Sequence, residues 1–119
     1  MKFCWCTIGV SDMEKSLKFY REIAGLPISR RFKAGPMEIC FLGVGETKVE
    51  LICGPGHKTA ADAEGISLGF EVKSVDEKIK FIKEKGLAVA GGPFQPNPRI
   101  KFFYVKDPDG VHVQFVENM

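Results

Sequence analysis

The stretch Val10–Glu22, VSDMEKSLKFYRE, returns 62 positions later as Val72–Glu84, VKSVDEKIKFIKE. Val10/Val72, Lys18/Lys80, Phe19/Phe81 and Glu22/Glu84 are identical, and Leu17/Ile79 and Arg21/Lys83 are near-equivalents. After a one-residue deletion, Gly25-Leu26 recurs as Gly86-Leu87. A unit of about half the chain that occurs twice is too long for most solenoid repeats. It reads as a duplicated supersecondary module. Two such modules facing each other leave a cleft, so matching positions in the two copies are where a site is sought.

Each copy places a short strand before its helix. Phe3–Val10 is β-branched and aromatic, and Ile66–Val72 is its counterpart. Ser11 or Asp12 caps the first helix, with Ser11-x-x-Glu14 as a capping box, and Ser74-x-x-Glu77 opens the second, which runs to Lys85. Met13, Leu17, Tyr20 and Ala24 share one helical face, and Gly25 and Gly86 supply the stops. Ile28–Phe32, Met37–Leu42 and Thr47–Cys53 read as three strands separated by turns at Gly35-Pro36 and Gly43–Glu46. The second copy continues with a short strand-like Leu87–Gly92, a proline loop Pro93–Arg99, and a hairpin of Lys101–Lys106 and Val111–Glu117 around Asp107-Pro108-Asp109-Gly110. Both halves are therefore β-α-β-β-β. The expected organisation is one domain over 1–119, with modules at 1–53 and 66–119. A small, glycine-rich linker at 54–65 joins them and could serve as a flap.

Composition narrows the function classes. A chain of 119 residues with 45% hydrophobic residues and ten phenylalanines can build a core. A net charge of +2 gives no argument for nucleic acid or an anionic membrane. No stretch approaches the roughly 20 apolar residues of a membrane span, and no signal-peptide core is visible. A cytoplasmic, soluble protein is expected. The four cysteines, Cys4, Cys6, Cys40 and Cys53, are expected to be reduced and packed in the core. Cys4-Trp5-Cys6 lacks the usual zinc spacing.

Strand parity separates two faces. Val49, Leu51 and Cys53 alternate with Lys48, Glu50 and Ile52, and Val111, Val113 and Phe115 with His112, Gln114 and Val116. Cys4, Cys6 and Ile8 alternate with Phe3, Trp5 and Thr7, and Leu68, Phe70 and Val72 with Ser67, Gly69 and Glu71. One set can cover a helix. The other is larger, mixed and polar, as the lining of a ligand cavity would be. Whether Phe102 and Tyr104 or Phe103 and Val105 line it stays open.

Val10-Ser11-Asp12, Ser16-Leu17-x-Phe19-Tyr20, Gly25-Leu26 and Asp107-Pro108-Asp109-Gly110, within paired modules, resemble the vicinal oxygen chelate superfamily. Glyoxalase I, bleomycin-resistance proteins, methylmalonyl-CoA epimerase and extradiol dioxygenases belong to it. The resemblance implies an α+β fold of two tandem βαβββ modules. They form a curved mixed sheet around a cleft, with the helices on the outer face. It also implies a homodimer. The positions that hold metal ligands in the metal-dependent members fall on Trp5, Glu50, Ser67 and Gln114. Only Glu50 is a good ligand for a divalent cation.

That ligand set implies no cofactor and a degenerate metal site. The expected function is bleomycin-resistance-like binding of a small flat or cationic molecule, with Trp5 as a stacking surface and Glu50 as acceptor or counter-charge. Ligand-binding candidates are Trp5, Glu50, Ser67, Gln114, His112 and Tyr104. The alternative is a metal-dependent lyase or isomerase resembling glyoxalase I, lactoylglutathione lyase, with an atypical ligand set. A third reading is a metal-free enzyme with Glu50 as base and His112 stabilising an enolate. Plainer readings stand beside these. Trp5 can fill the core, Glu50 can pair with Lys48, and His57 is a solvent-exposed linker residue. Arg99 and Lys101 can meet an anionic substrate or be surface charge. Arg30-Arg31 reads as surface charge.

Overall fold

The structure, a computed structural model, describes all 119 residues. The chain forms two compact units, Met1–Asp62 and Ala63–Met119. Each contains one mixed four-stranded sheet and one helical segment, the α+β pattern of the two βαβββ modules.

In the first unit, β1 (Trp5–Gly9) leads to α1 (Met13–Lys18), then β2 (Ile28–Ala34), β3 (Met37–Leu42) and β4 (Lys48–Cys53). The order across the sheet is β1-β4-β3-β2, with β1 parallel to β4 and the other pairs antiparallel. Asp12, not Ser11, caps α1: its carboxylate accepts from the Lys15 N–H at 3.1 Å. Phe19–Ile23 prolongs α1 as a wider π-type turn, closed by Ala24 N–H donating to the Phe19 carbonyl at 3.2 Å. The extra residue in that turn brings Phe19, Tyr20 and Ile23 into the core together. They join Ile8, Met13, Leu17, Cys40, Leu42, Val49 and Leu51. Each large aliphatic among these contributes about 2 kcal/mol on burial.

The stretch after β4 is tied down at one point. Ala60 N–H donates to the Gly9 carbonyl at 2.8 Å, and Lys58 lies so close over Gly9 that a Cβ there would overlap its carbonyl oxygen. His57 in the same stretch is exposed, as its loop position predicts.

The second unit repeats the plan with β5 (Ser67–Glu71), α2 (Val75–Glu84), β6 (Gly91–Asn97), β7 (Ile100–Lys106) and β8 (His112–Asn118), in the order β5-β8-β7-β6. Ser74 caps α2, accepting from Glu77 N–H at 3.2 Å. Val75, Ile82, Phe103, Val105, Val113 and Phe115 form its core. The turn between β7 and β8 is organised by Asp107, whose Oδ1 accepts from both Asp109 N–H and Val111 N–H at 2.9 Å. Gly110 there takes a φ of 88°, which only glycine adopts freely.

Two expectations need correction. The proline stretch Pro93–Arg99 is not a loop: most of it is β6, an edge strand paired irregularly at Gly91/Tyr104, Phe94/Phe102 and Asn97/Ile100. An edge strand tolerates prolines because one side of it pairs with nothing. Cys4 is exposed and does not pack in the core, unlike the fully buried Cys40. Lys101 pairs with the exposed Asp76 of α2 at 2.7 Å, in keeping with the surface-charge reading. All four cysteines are free thiols. No helix is long and apolar enough to cross a membrane.

Candidate functional site

On the face of the first sheet away from α1, one row of side chains crosses all four strands. Backbone pairing puts Thr7 opposite Glu50, Glu50 opposite Phe41, and Phe41 opposite Arg30. Thr7 Oγ1 donates to Glu50 Oε1 at 2.5 Å. The partner of Glu50 is thus a hydroxyl and not Lys48, whose Nζ donates to the Gly45 carbonyl at 2.8 Å.

Aromatic groups build a wall beside this row. Trp5 meets Phe41 edge-on at 5.1 Å, Phe32 stacks near Phe41 at 6.3 Å, and the Arg30 guanidinium lies 5.0 and 5.1 Å from the two phenylalanine rings. Phe41 is thereby 94% covered, although it points away from the helix, while Trp5 remains 50% exposed. Trp5 is not a core filler. It lines a groove of about 410 Å³ with Lys2, Cys4, Ser29, Arg30, Phe41, Glu46 and Lys48.

The second sheet carries the matching groove, about 440 Å³, lined by Ser67, Ala90, Gly91, Phe94, Tyr104 and His112 among others. Its groups are mostly neutral. The Gln114 amide donates to the Tyr104 hydroxyl oxygen at 2.8 Å, and His112 meets Tyr104 edge-on at 6.1 Å. Phe94 and Phe102 complete an aromatic cluster with Tyr104. The open question of β7 is answered: Phe103 and Val105 are buried, and Phe102 and Tyr104 lie on the half-exposed face.

The candidate residues therefore divide between the units. Trp5 and Glu50 share a face of the first sheet; Ser67, Tyr104, His112 and Gln114 share a face of the second. Sequence reasoning missed Arg30 and Phe41. Arg30 looked like half of a surface pair, yet its neighbour Arg31 faces the other way and binds Glu14 at 2.5 Å and also Glu38. Those bonds push the Arg31 pKa further above its ordinary value. A third groove, about 650 Å³, lies there beside Leu17, Arg21 and Gly25. Its Arg31 charge is already neutralised, and it has no aromatic wall.

A divalent ion does not suit the donors present. Trp5 offers no ligand atom, and the Glu50 carboxylate already accepts from Thr7. No three His, Cys, Asp or Glu side chains come together to hold a metal ion. Nickel, zinc, manganese and iron sites of this kind use several imidazole and carboxylate ligands.

Comparison with known proteins agrees with this fold. A probable lactoylglutathione lyase of Synechocystis is 27% identical over 119 residues, covering 92% of this chain and 90% of that protein. The uncharacterised protein YraH of Bacillus subtilis is 31% identical over 125 residues, covering 92% of each. The crystal structure of TnmS3, an antibiotic binding protein from Streptomyces, superposes with a TM-score of 0.81 at 21% identity, over 100% of this chain and 97% of that one. The profile of the glyoxalase/bleomycin resistance protein/dioxygenase superfamily matches residues 2–115, and the chain belongs to that superfamily.

Proposed function

We propose that the protein binds a small flat molecule against the open face of its first sheet, without a metal ion and without turnover. The observation that carries this reading is the half-exposed Trp5 set edge-on to a covered Phe41 beside an open groove. An indole held this way offers a rigid aromatic surface at low entropic cost. Glu50, with Thr7 on one oxygen, acts as a fixed acceptor at the edge of the wall. TnmS3, an antibiotic binding protein, has this fold.

Trp5 is the only tryptophan, so its fluorescence reports the groove directly. A saturable quench by a flat aromatic ligand is expected, unchanged by EDTA. Trp5→Ala should weaken binding about tenfold, measured by calorimetry, since aromatic contact of this kind is worth about 1 kcal/mol beyond area. Failure of every flat ligand in a broad screen overturns the reading.

One observation favours a second reading, a glyoxalase I-like lyase with Glu50 as a ligand or base: the Synechocystis relative carries that name. It requires turnover of a thiol hemithioacetal that Glu50→Gln abolishes, together with a stoichiometric metal ion in elemental analysis.

A further inference from the structure

We infer that the groove beside Trp5 selects an anionic ligand, a flat aromatic acid, and rejects cationic ones. The inference rests on the binding reading above and adds the charge of its ligand. Three cationic side chains, Lys2, Arg30 and Lys48, line the groove, against one acid, Glu46. None of the three takes part in an ion pair. Two are nevertheless held in place. Lys48 Nζ is fixed by the Gly45 carbonyl at 2.8 Å, a neutral partner that leaves its charge uncancelled. Arg30 is held by the Phe32 and Phe41 rings, which use none of its N–H groups as carboxylate partners. A guanidinium oriented by aromatic contact keeps its fork of donors for a carboxylate.

The repeat supplies an internal control. The sheet registers match Trp5 with Ser67, Arg30 with Gly91, Phe41 with Tyr104 and Lys48 with His112. The second groove is of similar volume and has neither fixed cation. The positive charge in the first groove is thus not a requirement of the fold. Glu50 adds a negative charge on the same face, but its Oε1 is taken by Thr7, and its opposite neighbour across the sheet is Phe41, not a cation. A cationic ligand resting on Trp5 faces three like charges; a carboxylate there meets donors on Arg30 and Lys48.

The test uses three probes of one shape: 1-naphthoate, 1-naphthamide and 1-naphthylmethylammonium, titrated into the full chain by calorimetry. The acid should bind about tenfold or more tightly than the amide, the ratio expected of a hydrogen bond to a charged group. The ammonium should bind more weakly than either. Arg30→Gln and Lys48→Gln, each checked for folding by circular dichroism, should each reduce affinity for the acid several-fold more than affinity for the amide. Raising ionic strength should shrink the acid's advantage. If the three probes bind equally, and Trp5→Ala weakens all of them, the flat-ligand reading stands and the anionic assignment falls. If none binds, or Trp5→Ala changes nothing, both fall together.

Discussion

Thr7 and Glu50 sit directly opposite each other on the parallel strands β1 and β4, with the threonine hydroxyl donating to the glutamate carboxylate at 2.5 Å. The matching pair on β5 and β8 is Gly69 and Gln114, where no such bond is available and Gln114 turns to Tyr104 instead. The half-buried carboxylate depends on that hydroxyl. Thr7→Val should destabilise the protein by about 1 kcal/mol, the usual worth of a bond of this kind. In a double-mutant cycle with Glu50→Gln, chemical denaturation should show that the two changes are not additive. Additive effects would mean that the bond contributes nothing.

Ser16 is fully buried on α1, and its hydroxyl has no hydrogen-bond partner. A buried donor left unmet costs stability, and serine is a weaker helix former than alanine. Ser16→Ala should therefore stabilise the fold by about 1 kcal/mol, seen as a raised Tm. A lowered Tm would show that the hydroxyl is needed.

The repeat places Lys78 where Ser16 stands in the first copy, and its ammonium lies 4.6 Å from the Phe81 ring centre and 4.9 Å from that of Phe115. Burial lowers its pKa below the ordinary 10.5. Below both the folded and the unfolded value the fold carries the whole cost of burying the charge. As pH rises through the window between them, the folded state gives up its proton first. The unfolded state then binds more protons, and stability rises with pH. Relative to Lys78→Met, which has no such titration, the wild-type protein should gain Tm as pH rises toward the ordinary lysine value of 10.5. A constant difference across that range contradicts the buried-charge account.

Gly9→Ala should free the segment around Lys58. The new methyl group would overlap the Lys58 carbonyl, and the bond from Ala60 N–H to the Gly9 carbonyl would be lost with the displacement. The cost should be about 2 kcal/mol, in the range of overpacking. Limited trypsin digestion should cut after Lys58 faster than in the wild type. An unchanged digestion rate would show that the contact is easily relieved.

Much of the fold is legible in the sequence. The repeated helix, the alternation of Lys48–Cys53 and the Asp107–Gly110 turn are local patterns, and local patterns carry their own geometry. Trp5 on the face of Thr7 follows from parity alone. Arg30 is different. Its role depends on Phe41, eleven residues away, and on a register set by the turn at Gly35-Pro36 and a bulge near Ile28. Nothing within a few residues of Arg30 distinguishes it from Arg31, yet one lies on an aromatic wall and the other between two carboxylates. The cap at Asp12 and the strand at Gly91–Asn97 are hidden for a related reason. Two residues compete for one cap, and prolines mask an edge strand.

That proline-bearing edge has a consequence for self-association. A free sheet edge offers a row of N–H and C=O groups on which another chain can grow. Pro93 and Pro96 remove two of the donors from β6, and its uneven register breaks the spacing of the rest. The outer side of β6 is therefore a poor template for a foreign strand. Growth of the second sheet into fibrils or strand-swapped oligomers is disfavoured on this side by the same residues that make the segment look unstructured in the sequence.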